Sequence, residues 1–219
     1  MENNKKLKVL VACEESQIIM KEFRKLGHDA FSNDIIGCSG DLPYYHIKID
    51  CLDAIKINNW DLLIAHPPCT YLSYCNTAAW ENEINVKNRV KAADFFINLY
   101  FSDIPHICIE NPLGIMSKLF KKPNQIIHPY YFGEPELKRT CLWLKNLPVL
   151  IYSKDDNLFE KKTVCNKPEP SFVWKNKNNI IKKEYFTYSK TSQQRSKSFQ
   201  SIAAAMAVQW SDYICKLNS

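Results

Sequence analysis

Cys69 closes the run His66-Pro67-Pro68-Cys69, directly after the apolar residues of WDLLIA. Two successive prolines remove two backbone donors and fix φ twice, so the chain must leave a strand here stiffly. A cysteine held at such an exit is either a small core residue or a presented thiol, able as thiolate to act as a nucleophile. Some forty residues on, HICIENP sets a carboxyl and an amide, Glu110 and Asn111, at the end of another apolar run. Lys138-Arg139-Thr140 places two cations just before the apolar TCLWL. A thiol and a carboxyl, each at the end of an apolar segment, share one site if the fold brings those ends together.

The surrounding elements favour that. KLKVLVAC (6–13) is a short buried strand, and EESQIIMKEFRKLG after it is a helix with Ile18, Ile19, Phe23 and Leu26 on one face and Gly27 as its stop. HDAFSND, YHIKID and WDLLIA predict three more strands, ending at Asp34, Asp50 and His66. A second helix spans NVKNRVKAADFFINLYF, with Val86, Val90, Ala93, Phe96, Ile97 and Tyr100 spaced for burial. HICIEN is a fifth strand stopped by Pro112, and TCLWL a late one. An alanine-rich helix over 201–217 buries Ile202, Ala205, Met206, Trp210 and Ile214. Alternation of this kind predicts an α/β fold, a Rossmann-like, doubly wound and mostly parallel sheet. Ligands in such sheets bind beyond the carboxyl ends of the strands. Those ends carry Cys13-Glu14-Glu15, Asp34, Asp50, His66 to Cys69, and Glu110-Asn111.

Composition narrows the class. The 219 residues are 46% hydrophobic and 12% aromatic, enough for one large core. No apolar run reaches the length of a membrane span, and MENNKKLKVLVAC lacks a signal peptide's apolar region, so a cytoplasmic protein with no membrane partner is expected. Nine cysteines at irregular spacings, with no C-x-x-C, fit reduced and mostly buried thiols rather than disulfides or a metal site. The net charge of +6 is lopsided. Residues 1–110 hold 11 Lys and Arg against 15 Asp and Glu, and residues 111–219 hold 18 against 8. Within 154–197, 11 basic and 5 acidic residues are interleaved with aromatics including Phe172, Trp174 and Tyr188, which suits either a polyanion with stackable bases or a solvated surface insertion. The expected division is a core of 1–150 completed by a C-terminal helix, 195–219, with a small basic module at 151–194.

In their order along the chain, these motifs resemble the cytosine-C5 DNA methyltransferases, and most closely the compact phage-type members. Pro67-Pro68-Cys69 looks like that family's Pro-Pro-Cys loop, Glu110-Asn111-Pro112 like its Glu-Asn strand end, and Lys138-Arg139-Thr140 like its arginine motif. The resemblance implies the S-adenosylmethionine-dependent methyltransferase type of fold and activity, a DNA substrate, and a cytoplasmic setting in a bacterial or phage-infected cell, of the restriction-modification kind. It implies Cys69, Glu110 and Arg139 as catalytic residues. Cys69 would attack cytosine C6, Glu110 would supply a proton to the ring, which requires a raised pKa, and Arg139 would hold the O2 side or position Glu110. The target base must flip out of a duplex to be reached. Cys13, Glu14, Asp34, Asp50 and Pro67 fall on the cofactor side, with Asp34 at the ribose and Asp50 at the adenine amine. His66, Pro68, Asn111 and Lys138 fall on the substrate side.

Two departures from the family keep other readings in play. Its first loop is glycine-rich, whereas here the loop reads Ala12-Cys13-Glu14-Glu15-Ser16-Gln17. Its sequence-reading region is larger than residues 151–194. The same chemistry on RNA or a free cytosine nucleotide, or a catalytically inactive nucleic-acid- or nucleotide-binding relative, are the alternatives. The oligomeric state and the target sequence stay open.

Overall fold

The computed structural model describes residues 5–74, 82–152, 172–175, 181–184 and 198–217. Seven strands form one sheet: β1 (Lys8–Ala12), β2 (Asp29–Asn33), β3 (His46–Ile47), β4 (Leu62–Ala65), β5 (His106–Pro112), β6 (Gln125–Ile127) and β7 (Thr140–Lys145). Their order is β3-β2-β1-β4-β5-β7-β6. All pairings from β3 to β5 are parallel, and β7 runs antiparallel between β5 and β6. This is the expected Rossmann-like, doubly wound and mostly parallel α/β architecture.

The central strands read as unbroken apolar runs because both faces of the sheet are covered. Leu62 to Ala65 of β4 are all buried. Val9, Val11, Ile64, Cys108, Leu142 and Leu144 face α1 (Ile18–Lys25) and the closing helix. Leu10, Leu63, Ile107, Ile109 and Trp143 face α2 (Cys51–Ala54), α3 (Glu83–Tyr100) and α4 (Met116–Leu119). The closing helix, α5 (Gln200–Leu217), buries Ile202, Met206, Trp210 and Ile214 against the same core as Phe23 of α1. Gly27, at φ 86°, ends the first helical segment, as its position predicts.

Several elements differ from the sequence reading. The third strand is only two residues long, and Asp50 lies beyond it as the N-cap of α2, accepting from the Leu52 N–H at 2.8 Å. Pro112 ends β5 from inside the ladder, opposite Thr140. On α3 the buried stripe is Ala93, Phe96 and Leu99, while Val86 and Val90 are exposed. On α5 Ala203 and Ala207 are buried and Ala205 only partly. β6 is a strand that the sequence pattern does not predict.

In the basic stretch, Phe172–Lys175 (β8) pairs antiparallel with Ile181–Glu184 (β9). Apart from Ile151 and Tyr152, the rest of the expected module lies outside the described residues. Among the described residues no helix is long and apolar enough to cross a membrane.

Candidate active site

β1 and β4 are parallel neighbours, but the chain leaves β1 toward β2 and returns on the other side. Their carboxyl ends therefore flank the crevice where such sheets bind ligands. Strand parity selects what enters it. Ile64 faces α1 and α5, so His66, two residues on, continues that face. Cys108 puts Glu110 on the same face. Opposite Glu110 stands Leu142, and opposite Pro112 stands Thr140, so Thr140 shares the face of Glu110. Lys138, two residues before Thr140, joins them. Arg139 and Cys141 belong to the other parity, and Arg139 is exposed.

The result is a small cleft lined by His66, Glu110, Lys138 and Thr140, closed by Ile19 of α1 and by Phe199, Ile202 and Met206 at the start of α5. His66 Nδ1 lies 2.9 Å from Glu110 Oε2. The imidazole's other nitrogen, Nε2, is buried with no hydrogen-bond partner. Lys138 Nζ sits 5.5 Å from the Phe199 ring centre. Burial pushes the Glu110 carboxyl up, but the His66 hydrogen bond, the His66 charge and Lys138 outweigh it, and the net shift is downward. This is the reverse of the raised pKa that the resemblance requires. In this state Glu110 is an ionised acceptor held by a histidine. The free volume, about 20 Å³, suits a water rather than a ring.

The cysteine loop is fastened to the end of β5. Asn111, 2% exposed, donates from Nδ2 to the Pro67 carbonyl at 2.7 Å. The Cys69 carbonyl accepts from the N–H groups of Leu72 and Ser73, closing a turn that leaves Pro68 and the Cys69 thiol exposed while Pro67 is buried. The turn is then clamped from below: the Ile115 N–H donates to the Leu72 carbonyl at 2.8 Å, and Ser73 bridges Gly114. A Cβ on Gly114 would stand 2.1 Å from the Leu72 oxygen. The obstruction is backbone, so Gly114→Ala must displace the loop. We expect it to cost about 2 kcal/mol in urea unfolding, and an unchanged midpoint would show that the clamp is soft.

On the β1–β2 side the glycine-free loop adopts glycine-like turns without glycine. Cys13 (φ 56°) and Gln17 (φ 61°) are both left-handed. Gln17 is fully buried, and its side chain holds Ser32 and both backbone groups of Leu42. A Cβ on Gly40 would collide with Gln17 Oε1 at 2.3 Å, which explains the glycine there. Cys13 lies against buried Cys51, whose thiol is driven up by the Cys13 hydrogen bond, then burial, then the charges of Asp50 and Asp34. Glu14 is 4% exposed and accepts from the Ile19 N–H (2.6 Å) and the Met20 N–H (3.3 Å), capping α1. Burial raises its carboxyl to about 7, against the lowering effects of the His66 charge and the backbone N–H groups. Asp34, half-buried, accepts from the Ile36 N–H. Asp50 is exposed.

The residues proposed from sequence thus divide. His66, Glu110 and Lys138 line one cleft. Pro67, Asn111, Pro68 and Cys69 form the adjoining loop. Cys13, Asp34 and Asp50 gather around Cys51, and Glu14 lies between the two groups, within electrostatic reach of His66. Asp34 and Asp50, as acceptors at the ends of β2 and β3, fit the hydroxyls and amine of a nucleoside cofactor. Sequence reasoning missed Thr140, Gln17 and Phe199. Parity with Glu110 across β7 would have found Thr140, had the register been known.

No protein-family model matches the sequence. No curated protein matches it either. Among solved structures the chain is similar to a candidate DNA modification methyltransferase encoded within a prophage of E. coli, at 12% identity and a TM-score of 0.39. The match covers 68% of this chain and about half, 51%, of the other.

Proposed function

We propose that this protein transfers a methyl group from S-adenosylmethionine to C5 of cytosine in DNA, with Cys69 as the nucleophile. The observation that carries the reading is the fastening of the exposed Pro-Pro-Cys turn, through Asn111, to the strand end that bears Glu110. Asp34 and Asp50 would hold the cofactor's ribose and adenine, with Cys13, Glu14 and Pro67 beside them. When bound, the cofactor supplies the methyl group as an electrophile.

The chain's own residues do the rest. The Cys69 thiolate adds to C6, and the C5=C6 electron pair makes C5 able to accept a methyl group. Glu110, ionised and held by His66, accepts from the exocyclic amine of the flipped base. Lys138 takes the position at the ring's polar edge that the resemblance gives to Arg139. Arg139, exposed at the same rim, is available to a DNA phosphate. Basic residues of 151–194 add affinity for the polyanion without reading its sequence.

The test is transfer of a labelled methyl group from S-adenosylmethionine to duplex DNA, single-stranded DNA, RNA and dCMP offered in parallel. Label in DNA cytosine supports the reading. Label only in RNA or dCMP changes the substrate and keeps the chemistry. Label in none, with micromolar cofactor binding also absent, favours a binding protein.

A further inference from the structure

We propose that His66 is the base that removes the C5 proton, a role resting on the cytosine-C5 reading above. The carboxylate of Glu110 fixes Nδ1 of the imidazole at 2.9 Å. In the neutral imidazole, with Nδ1–H donated to the carboxylate, Nε2 carries the lone pair. That nitrogen is buried, lies in a residue lining the cleft, and has no hydrogen-bond partner. An acceptor left so is penalised, and a substrate hydrogen would relieve the penalty. Glu110 orients the imidazole and stabilises the imidazolium, as the carboxylate does in a Ser-His-Asp triad.

The charged groups facing His66 come from three elements: Glu14 from the loop after β1, Glu110 from β5, and Lys138 before β7. The ring's chemistry agrees with the placement. C4 and C5 are adjacent, so a base bonded to the carboxylate that takes the C4 amine is a neighbour of the C5 hydrogen.

The step balances. After methyl transfer C5 carries both hydrogen and methyl. Nε2 takes the proton, the C5–H pair forms the C5=C6 double bond, and the C6–S bond breaks with its pair returning to the Cys69 sulfur. No further reactant is needed.

The experiment follows methylated, covalently linked protein–DNA complex on denaturing gels, with ordinary cytosine DNA and labelled S-adenosylmethionine. Wild type should release its product, whereas His66→Gln should accumulate methylated adduct and lose turnover by roughly 10²-fold or more. A second measurement needs no variant. In wild type, the pH dependence of turnover should contain an ionisation that is absent from single-turnover methylation of 5-fluorocytosine DNA, where no C5 proton exists to remove. Normal turnover in His66→Gln, or coincident pH profiles, would overturn the role of His66 and leave the methyltransferase reading intact. If wild type itself forms neither adduct nor product, that reading falls, and this one with it.

Discussion

Cys69→Ser is expected to abolish methyl transfer, by roughly 10⁴-fold or more, while leaving the unfolding temperature nearly unchanged. The two halves of the expectation have separate physical grounds. Serine is isosteric within a fraction of an ångström, but its hydroxyl does not ionise in the range where a thiol does, so no anion is available to add to C6. Cys69 is an exposed residue, so little core packing is at stake. The turn is held by the backbone carbonyl of residue 69, which serine retains. By contrast, Cys108 and Cys141 are fully buried, and burial raises both thiols, Cys141 to about 11. Serine at either should destabilise the core and act on activity only through folding. Substantial transfer by Cys69→Ser would remove the nucleophile from the mechanism.

Glu14→Gln is expected to stabilise the protein at alkaline pH and to change little at pH 4.5. The folded carboxyl titrates at about 7, against an ordinary value of 4.5, chiefly because burial disfavours its charged form. A group whose pKa is raised on folding contributes stability that is complete below its unfolded pKa and is lost as pH rises through the folded one. The loss therefore runs from about pH 4.5 to just above 7 and amounts to roughly 3 kcal/mol. Glutamine keeps an oxygen for the Ile19 N–H and carries no charge to bury. Chemical denaturation of both proteins between pH 5 and 8.5 is the measurement, and parallel curves would rule out the assignment. Glu110 has the opposite sign: its lowered pKa supports the fold above the ordinary carboxylate range and lets go only as pH falls below it. The acid limb should therefore survive in Glu14→Gln.

Much of the scaffold was legible because its central strands are buried on both faces. LKVLVA and LLIA can hardly be anything but interior, and the polar residues that follow them mark the sheet edge. β6 was not legible, since three residues of ladder leave no period to read. The α3 stripe slipped because the apolar residues of its N-terminal half, Val86 and Val90, remain exposed, leaving Ala93, Phe96 and Leu99 to set the packed line. In the candidate site, Glu110 and Cys69 could be named from strand ends alone. Choosing between Lys138 and Arg139 could not be done that way. Adjacent residues of an extended chain point to opposite faces, and only the β5–β7 register decides which one meets Glu110. The lowered Glu110 pKa was not legible for a related reason: it comes chiefly from a histidine whose proximity no spacing rule reveals.

The wall of the cleft that α5 supplies lies far along the chain from the wall that α1 supplies. Gln200 meets Glu22 across a separation of 178 residues, and Ile202 and Met206 pack in one core with Ile19. Contacts of such long range form late, because the intervening chain must first be gathered at an entropic cost. While the protein is being synthesised, Ile19, Met20 and Phe23 must wait uncovered for partners not yet made, a period of exposure to chaperones and to aggregation. The pocket would then be the last part to mature: a half-made chain can hold most of its strands and still lack one wall of its cleft.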